Sequence, residues 1–195
     1  MSDQPVLYLV VCAAPPVLQI DQLIDLLMND GWAVWVVATP TAASWIDREA
    51  LAQQTGHPVR FERRKPDQPD LLPKADAVLV APATFNTINK WALGINDTLA
   101  LGILNEVLGL GLPILVSPYA KAALTSHPGY ARNAEALRVA GATFTSPNLL
   151  QPTAASGRFR WRELLRLASC RQNRPGGRQT SGSESRQGGG ADCQT

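Results

Sequence analysis

Val6-Leu-Tyr-Leu-Val-Val-Cys12 and Trp32-Ala-Val-Trp-Val-Val-Ala38 are two apolar, largely β-branched runs separated by a proline-marked amphipathic stretch. Each run is the kind of segment that a parallel sheet buries on both faces. Between them Pro16 suits the first turn of a helix, and Val17, Ile20, Leu23, Ile24, Leu26 and Leu27 recur at helical spacing until Asn29-Asp30-Gly31 closes the segment. Strand, helix, strand in this order is a βαβ unit, whose crossover is right-handed in nearly all proteins.

Working outward, the pattern repeats. A helix is expected near Ala42 to Gln54, a short strand at Val59 to Glu62, and a polar, proline-rich loop from Arg63 to Lys74. Ala77-Val-Leu-Val-Ala81 is the next strand and stops at Pro82. Helices from Asn86 to Trp91 and from Asp97 to Val107 follow, then a strand from Pro113 to Ser117, a helix from Ala131 to Ala140 and a weak strand from Ala142 to Thr145. The alternation predicts an α/β fold: an open, doubly wound parallel sheet of the Rossmann or flavodoxin-like three-layer kind. A further helix from Arg158 to Ala168 completes a single domain spanning 1–168. Beyond it Gly, Ser, Gln and Arg dominate, so 169–195 is expected to be a disordered tail, too poor in apolar surface to offset its ordering entropy.

Composition narrows the class. A net charge of +2, 45% hydrophobic and 17% charged residues are ordinary for a globular chain and give no reason to expect nucleic acid. The three cysteines, Cys12, Cys170 and Cys193, have no metal or redox-pair spacing and fit a reducing compartment. The run from Val6 to Ala14 is too short to span a bilayer and has no basic segment before it. A cytoplasmic protein without a membrane partner is the expectation.

In an open parallel sheet, ligands bind beyond the carboxyl ends of the strands. The loop Cys12-Ala-Ala-Pro-Pro16 offers small residues for close backbone approach, yet lacks the glycines of a dinucleotide fingerprint, which disfavours a nicotinamide enzyme. Thr39-Pro-Thr-Ala-Ala-Ser44 sets three hydroxyls around a helix start, where either a phosphate or simple capping would use them. The third loop runs from Ala81 to Leu99: a Pro-fixed turn, a helix opening at Asn86 and Thr87, a closing Gly94, and a second helix from Asp97.

That third loop resembles the P-A-[ST]-x-N-T … K … G … D-x-L segment of the homo-oligomeric flavin-containing cysteine decarboxylases, which include phosphopantothenoylcysteine decarboxylase. Pro82, Ala83, Thr84, Asn86, Thr87, Lys90, Gly94, Asp97 and Leu99 match it in order. Pro118, His127, Pro128, Arg132 and Asn133 match a later P … H-P … R-N segment. The resemblance implies an FMN cofactor, a trimer or multiple of trimers, and a small or peptidyl substrate. By it, Ala13, Ala14, Thr39, Thr41 and Ser44 lie toward the phosphate, Thr84 and Asn86 toward the ribityl chain or ring, and Pro82 and Ala83 are further cofactor-binding candidates.

The departures bear on the chemistry. The family's histidine before the third strand has no counterpart in Asp67 to Lys74, which removes the obvious acid or base. Where the family carries a Met-Asn clamp, this chain has Ala120-Lys121, with Lys121 either pairing with a substrate carboxylate or standing as an exposed helix residue. Lys121 and Asp97 are the candidate catalytic residues. Three readings stay open: an FMN flavoprotein with unusual redox or lyase chemistry, an active cysteine decarboxylase, or a non-catalytic subunit that kept the fold.

Overall fold

Register decides where everything else goes. The computed structural model describes residues 4–64, 67, 72–147, 149–152 and 159–169. Its sheet holds β1 (Val6–Val11), β2 (Ala33–Ala38), β3 (Ala77–Ala83), β4 (Ile114–Pro118) and β5 (Thr143–Phe144), all parallel, in the order β2-β1-β3-β4-β5. Leu7 lies opposite Val34 and Ala77, and Val10 opposite Val37 and Val80. Successive side chains alternate between faces, so β1 feeds two cores at once.

Leu7, Leu9 and Val11 pack with α1 (Ile20–Asn29), α2 (Pro40–Ala43), α3 (Arg48–Thr55) and α8 (Trp161–Ser169). Tyr8 and Val10 pack with α4 (Phe85–Ala92), α5 (Leu99–Gly109) and α7 (Pro128–Val139). Leu9 and Val10 are both wholly buried. At about 1.5–3 kcal/mol for each large apolar side chain removed from water, this strand contributes to both layers and fixes the three-layer architecture. The expected α/β fold is therefore found.

Local details differ from the sequence expectation. The helix expected from Ala42 to Gln54 is two helices, because two caps compete: the Thr39 hydroxyl accepts the Ala42 N–H at 3.4 Å and the Asp47 carboxylate accepts the Ala50 N–H at 3.0 Å. The strand expected at Val59 to Glu62 shrinks to one bridge between Val37 and Arg60, since Pro58 has no N–H with which to extend the ladder. Pro15–Gln19 forms a 3-10 turn before α1 begins. Thr84 and Thr98, rather than Asn86 and Asp97, cap α4 and α5. A short α6 (Ala122–Thr125) precedes α7. The segment expected to be a disordered tail lies outside the described residues, apart from Ser169 at the end of α8.

Candidate functional site

The chain leaves β1 for β2 at the sheet edge, then crosses back over β1 to reach β3. That reversal makes the carboxyl ends of β1 and β3 the topological switch point, where doubly wound sheets of this strand order hold their ligands. Backbone hydrogen bonds lace the strand exits together. Cys12 N–H donates to Pro82 O at 3.1 Å, Thr39 N–H to Val11 O at 2.9 Å, and Tyr119 N–H to Ala83 O at 2.8 Å. The Ala81–Pro82 peptide is cis.

Small and hydroxylic side chains form the floor. Cys12 Sγ lies 3.3 Å from Thr87 Oγ1, which in turn lies 3.1 Å from Thr84 Oγ1. The Thr84 hydroxyl also accepts the Thr87 N–H at 3.4 Å, capping α4. Burial pushes the Cys12 thiol above its usual range, outweighing the opposing bonds from Thr87 and Thr84. The thiol is therefore neutral at physiological pH and adds no negative charge beneath an anionic ligand.

Backbone donors complete the crevice. Among the described residues, the amides of Ala13, Thr41, Phe85 and Asn86 have no hydrogen-bond acceptor. Phe85 and Asn86 are unpaired because they open α4, where the partial positive charge of a helix start favours an anion. Ala14 is buried and Ala13 partly so, which lets a ligand reach the backbone closely. A phosphate dianion fits this donor set without an arginine.

The structure brings most of the sequence-predicted residues to one edge of the sheet. Ala13, Ala14, Pro82, Ala83 and Thr84 line the switch point itself, and Thr39 stands beside it at the exit of β2. Thr39 spends its hydroxyl on capping α2, and Ser44 donates its hydroxyl to Thr41 O at 2.8 Å. Asn86 is exposed in the first turn of α4. Sequence reasoning did not assign Cys12 or Thr87 to the floor. The signal was present in the three-residue spacing of Thr84 and Thr87, which brings both hydroxyls to one side of a helix start.

The two candidate catalytic residues part company. Lys121 is exposed at the N-cap of α6, just after the Tyr119 amide that is tied to Ala83, so its loop adjoins the β3 exit. Asp97 instead pairs with Lys90 Nζ at 2.5 Å. Lys90 occupies the last turn of α4, ~9 Å along the axis from Thr84 at about 1.5 Å per residue. The hydrogen bond from Lys90 holds the Asp97 carboxyl below its usual range, so it stays ionised. Asp97 is thus not brought to the switch point.

Other candidates find structural roles. His127 accepts the Gly129 N–H through Nδ1 at 3.0 Å and caps α7. The His57 ring stacks on Trp35 with centroids 4.0 Å apart. Trp91 is buried in the layer under α4 and is no stacking platform for a ligand. A groove of about 720 Å³ lies elsewhere, along α5, with Arg60, Arg63 and Lys74 at its rim. It contains none of the expected cofactor-binding residues.

A sheet in flavodoxin order with small and hydroxylic residues at its switch point defines a class, the doubly wound α/β proteins whose ligands sit beyond the strand ends. Within that class the chain belongs to the Flavoprotein family, whose family model matches residues 1–168. It is 32% identical over 126 residues to the Coenzyme A biosynthesis bifunctional protein CoaBC of Thermococcus kodakarensis, a match that covers 62% of this chain and 31% of that protein. The chain therefore corresponds to about a third of the length of this curated relative. Among solved structures, a PPC decarboxylase variant complexed with pantothenoylaminoethenethiol superposes with a TM-score of 0.72 at 19% identity, covering 87% of this chain and 98% of that one. The FMN-dependent cysteine decarboxylase TvaF superposes with a TM-score of 0.65 at 25% identity, covering 74% of this chain and 91% of that one.

Proposed function

We propose that the chain holds FMN at the switch point between β1 and β3 and applies it to a small or peptidyl substrate bearing a carboxylate, with Lys121 as the anchor for that group. FMN is the cofactor supported by family membership and by the FMN-dependent neighbour. The observation that carries the reading is the set of unpaired amides at Ala13, Phe85 and Asn86 around the Thr84 hydroxyl, over a neutral Cys12.

In this reading Ala13 and Ala14, with Thr39, Thr41 and Ser44, receive the phosphate end, while Pro82, Ala83, Thr84 and Asn86 border the ribityl chain and ring. When bound, FMN supplies a two-electron acceptor. Lys121 contributes a hydrated point charge that attracts and orients a carboxylate, without the directionality of an amide. The chain has two histidines: His57 stacks on Trp35, and His127 caps α7 through Nδ1 with its ring edge-on to Phe85. The reading assigns no proton transfer to an imidazole or to the ionised Asp97. The chemistry is decarboxylase-like in class but departs from the usual thiol-carboxylate decarboxylation, being redox or lyase chemistry without a histidine. A homotrimer, or a multiple of trimers, belongs to the same proposal, with a neighbouring copy closing the open side.

The test is spectroscopic. Purified protein, supplied with excess FMN and freed of unbound nucleotide, is expected to retain flavin absorbance, and Asn86→Asp is expected to reduce it by placing a negative charge against the electron-rich end of the ring. Absence of flavin from the folded wild type overturns the proposal, and undiminished absorbance in Asn86→Asp removes that residue from the site.

A further inference from the structure

Asn133 closes the later of the two sequence motifs and lies outside the crevice. It is 6% exposed, on the inward face of α7. A buried amide needs partners, and the one it finds is informative. Asn133 Nδ2 donates to Asn89 Oδ1 at 2.7 Å, and Asn89 Nδ2 donates to Phe85 O at 2.9 Å. The relay ends on the carbonyl of the Phe85–Asn86 peptide, whose N–H is one of the unpaired crevice donors.

A second contact holds the same turn from the side. The Phe85 ring stacks on Tyr130 with centroids 5.9 Å apart and an interplanar angle of 15°, and meets His127 edge-on at 6.0 Å. Tyr130 and His127 both belong to the start of α7. The first turn of α4 is therefore clamped to α7 twice, once by polar groups and once by aromatic rings. The polar clamp alone reaches the peptide that faces the crevice.

We infer that Asn133 is a positioning residue for the cofactor: through Asn89 it fixes the orientation of the Phe85–Asn86 peptide and so the aim of the Asn86 amide into the crevice. This rests on the proposed FMN site. The peptide plane is one rigid unit, so a bond to its carbonyl sets the direction of its N–H. A net hydrogen-bond contribution of ordinary size corresponds to about a five- to tenfold change in affinity when its geometry is lost.

Two variants and a matched control test it. Asn133→Leu removes the donor, and Asn89→Ala removes both bonds at a half-buried position that tolerates the change if Asn133→Leu fails to fold. Each is expected to weaken FMN binding by about five- to tenfold and to move the backbone NMR signals of Phe85 and Asn86 in the apoprotein, leaving those of Thr39 to Ala43 in place. The double variant is expected to bind no more weakly than either single one, since both break the same relay. Asn105→Leu, which breaks a chemically similar bond to Ile95 O at 3.1 Å beyond the far end of α4, is expected to leave FMN affinity unchanged.

The relay is overturned if Asn133→Leu, or Asn89→Ala in its place, leaves the Phe85 and Asn86 signals where they were, or if the losses multiply in the double variant. If the signals move but wild-type protein takes up no FMN, the relay stands and the cofactor reading fails.

Discussion

Two regions of the molecule have the means to hold an anion, and they differ in every conventional mark. The groove along α5 has volume and charge: about 720 Å³, with Arg60, Arg63 and Lys74 on its rim. The switch point offers backbone amides, with Lys121 in the adjoining loop. Its donors are amides, its side chains are alanine, proline and threonine, and its buried thiol stays protonated. The proposed reading puts the phosphate on the fixed array of dipoles and not in the groove, because backbone donors are already oriented and cost no side-chain ordering.

The comparison breaks most easily by moving one charge. Ala13→Asp sets a carboxylate where the phosphate is proposed to lie, and like charges in contact cost several kcal/mol, so FMN affinity is expected to fall by about a hundredfold or more. Lys74→Asp makes a charge change of the same sign in the α5 groove and is expected to leave FMN affinity within about twofold. Titration of flavin fluorescence against each variant measures both. A loss at Lys74 equal to that at Ala13 would place the anion in the groove and reverse the assignment.

Lys121→Ala sharpens the same contrast on the substrate side. Turnover of a carboxylate-bearing substrate is expected to drop by about tenfold or more, with FMN content unchanged, and Lys121→Arg should recover part of it because the charge is kept. Wild-type turnover in Lys121→Ala would return the residue to the status of an exposed helix start.

The smaller effects probe the floor. Thr84→Val deletes the cap of α4 and its bond to Thr87, and is expected to cost about 1 kcal/mol, or roughly 2–4 °C in Tm, by thermal denaturation. The Cys12 thiol, raised by burial in the folded state, favours its neutral form there. A group whose folded value lies above its unfolded value contributes stability that is full below the ordinary thiol range, about 8.5, and is lost as pH rises through the folded value. Cys12→Ser, whose hydroxyl does not titrate in this range, is expected to show a weaker alkaline loss of stability than wild type; identical profiles would show that Cys12 contributes nothing to it.

Much of this was legible in the sequence, for a physical reason. Runs such as Val6 to Cys12 and Trp32 to Ala38 are apolar throughout because both faces of the sheet are covered, so these strands and the parallel character of the sheet could be read directly. The Thr84 to Asn86 turn was legible because a strand end, a proline and a helix start coincide. Caps were harder. Thr84, Asn86 and Thr87 are all chemically suited to open α4, and which one does so depends on where the backbone leaves the β region, a tertiary outcome. The same limit hid the division of the segment after β2, where Thr39 and Asp47 each start a helix of their own. Asp97 is a different case: motif order made it a candidate, and its side chain pairs with Lys90 past the other end of α4, a contact that the motif does not reveal.

Asp97 therefore supplies the mildest prediction and the cleanest control. Its carboxylate is exposed, its partner is half-exposed, and water screens both, so breaking the pair changes little beyond the turn that contains it. Asp97→Asn is expected to leave FMN affinity and turnover within about twofold of wild type, measured under the conditions that reveal the Lys121→Ala defect. A loss of turnover comparable to that of Lys121→Ala, with flavin still bound, would mean that this carboxylate reaches the reaction from outside the crevice of its own chain. Its route would then run across a boundary between copies, so the same result would favour the trimer over a monomer that works alone.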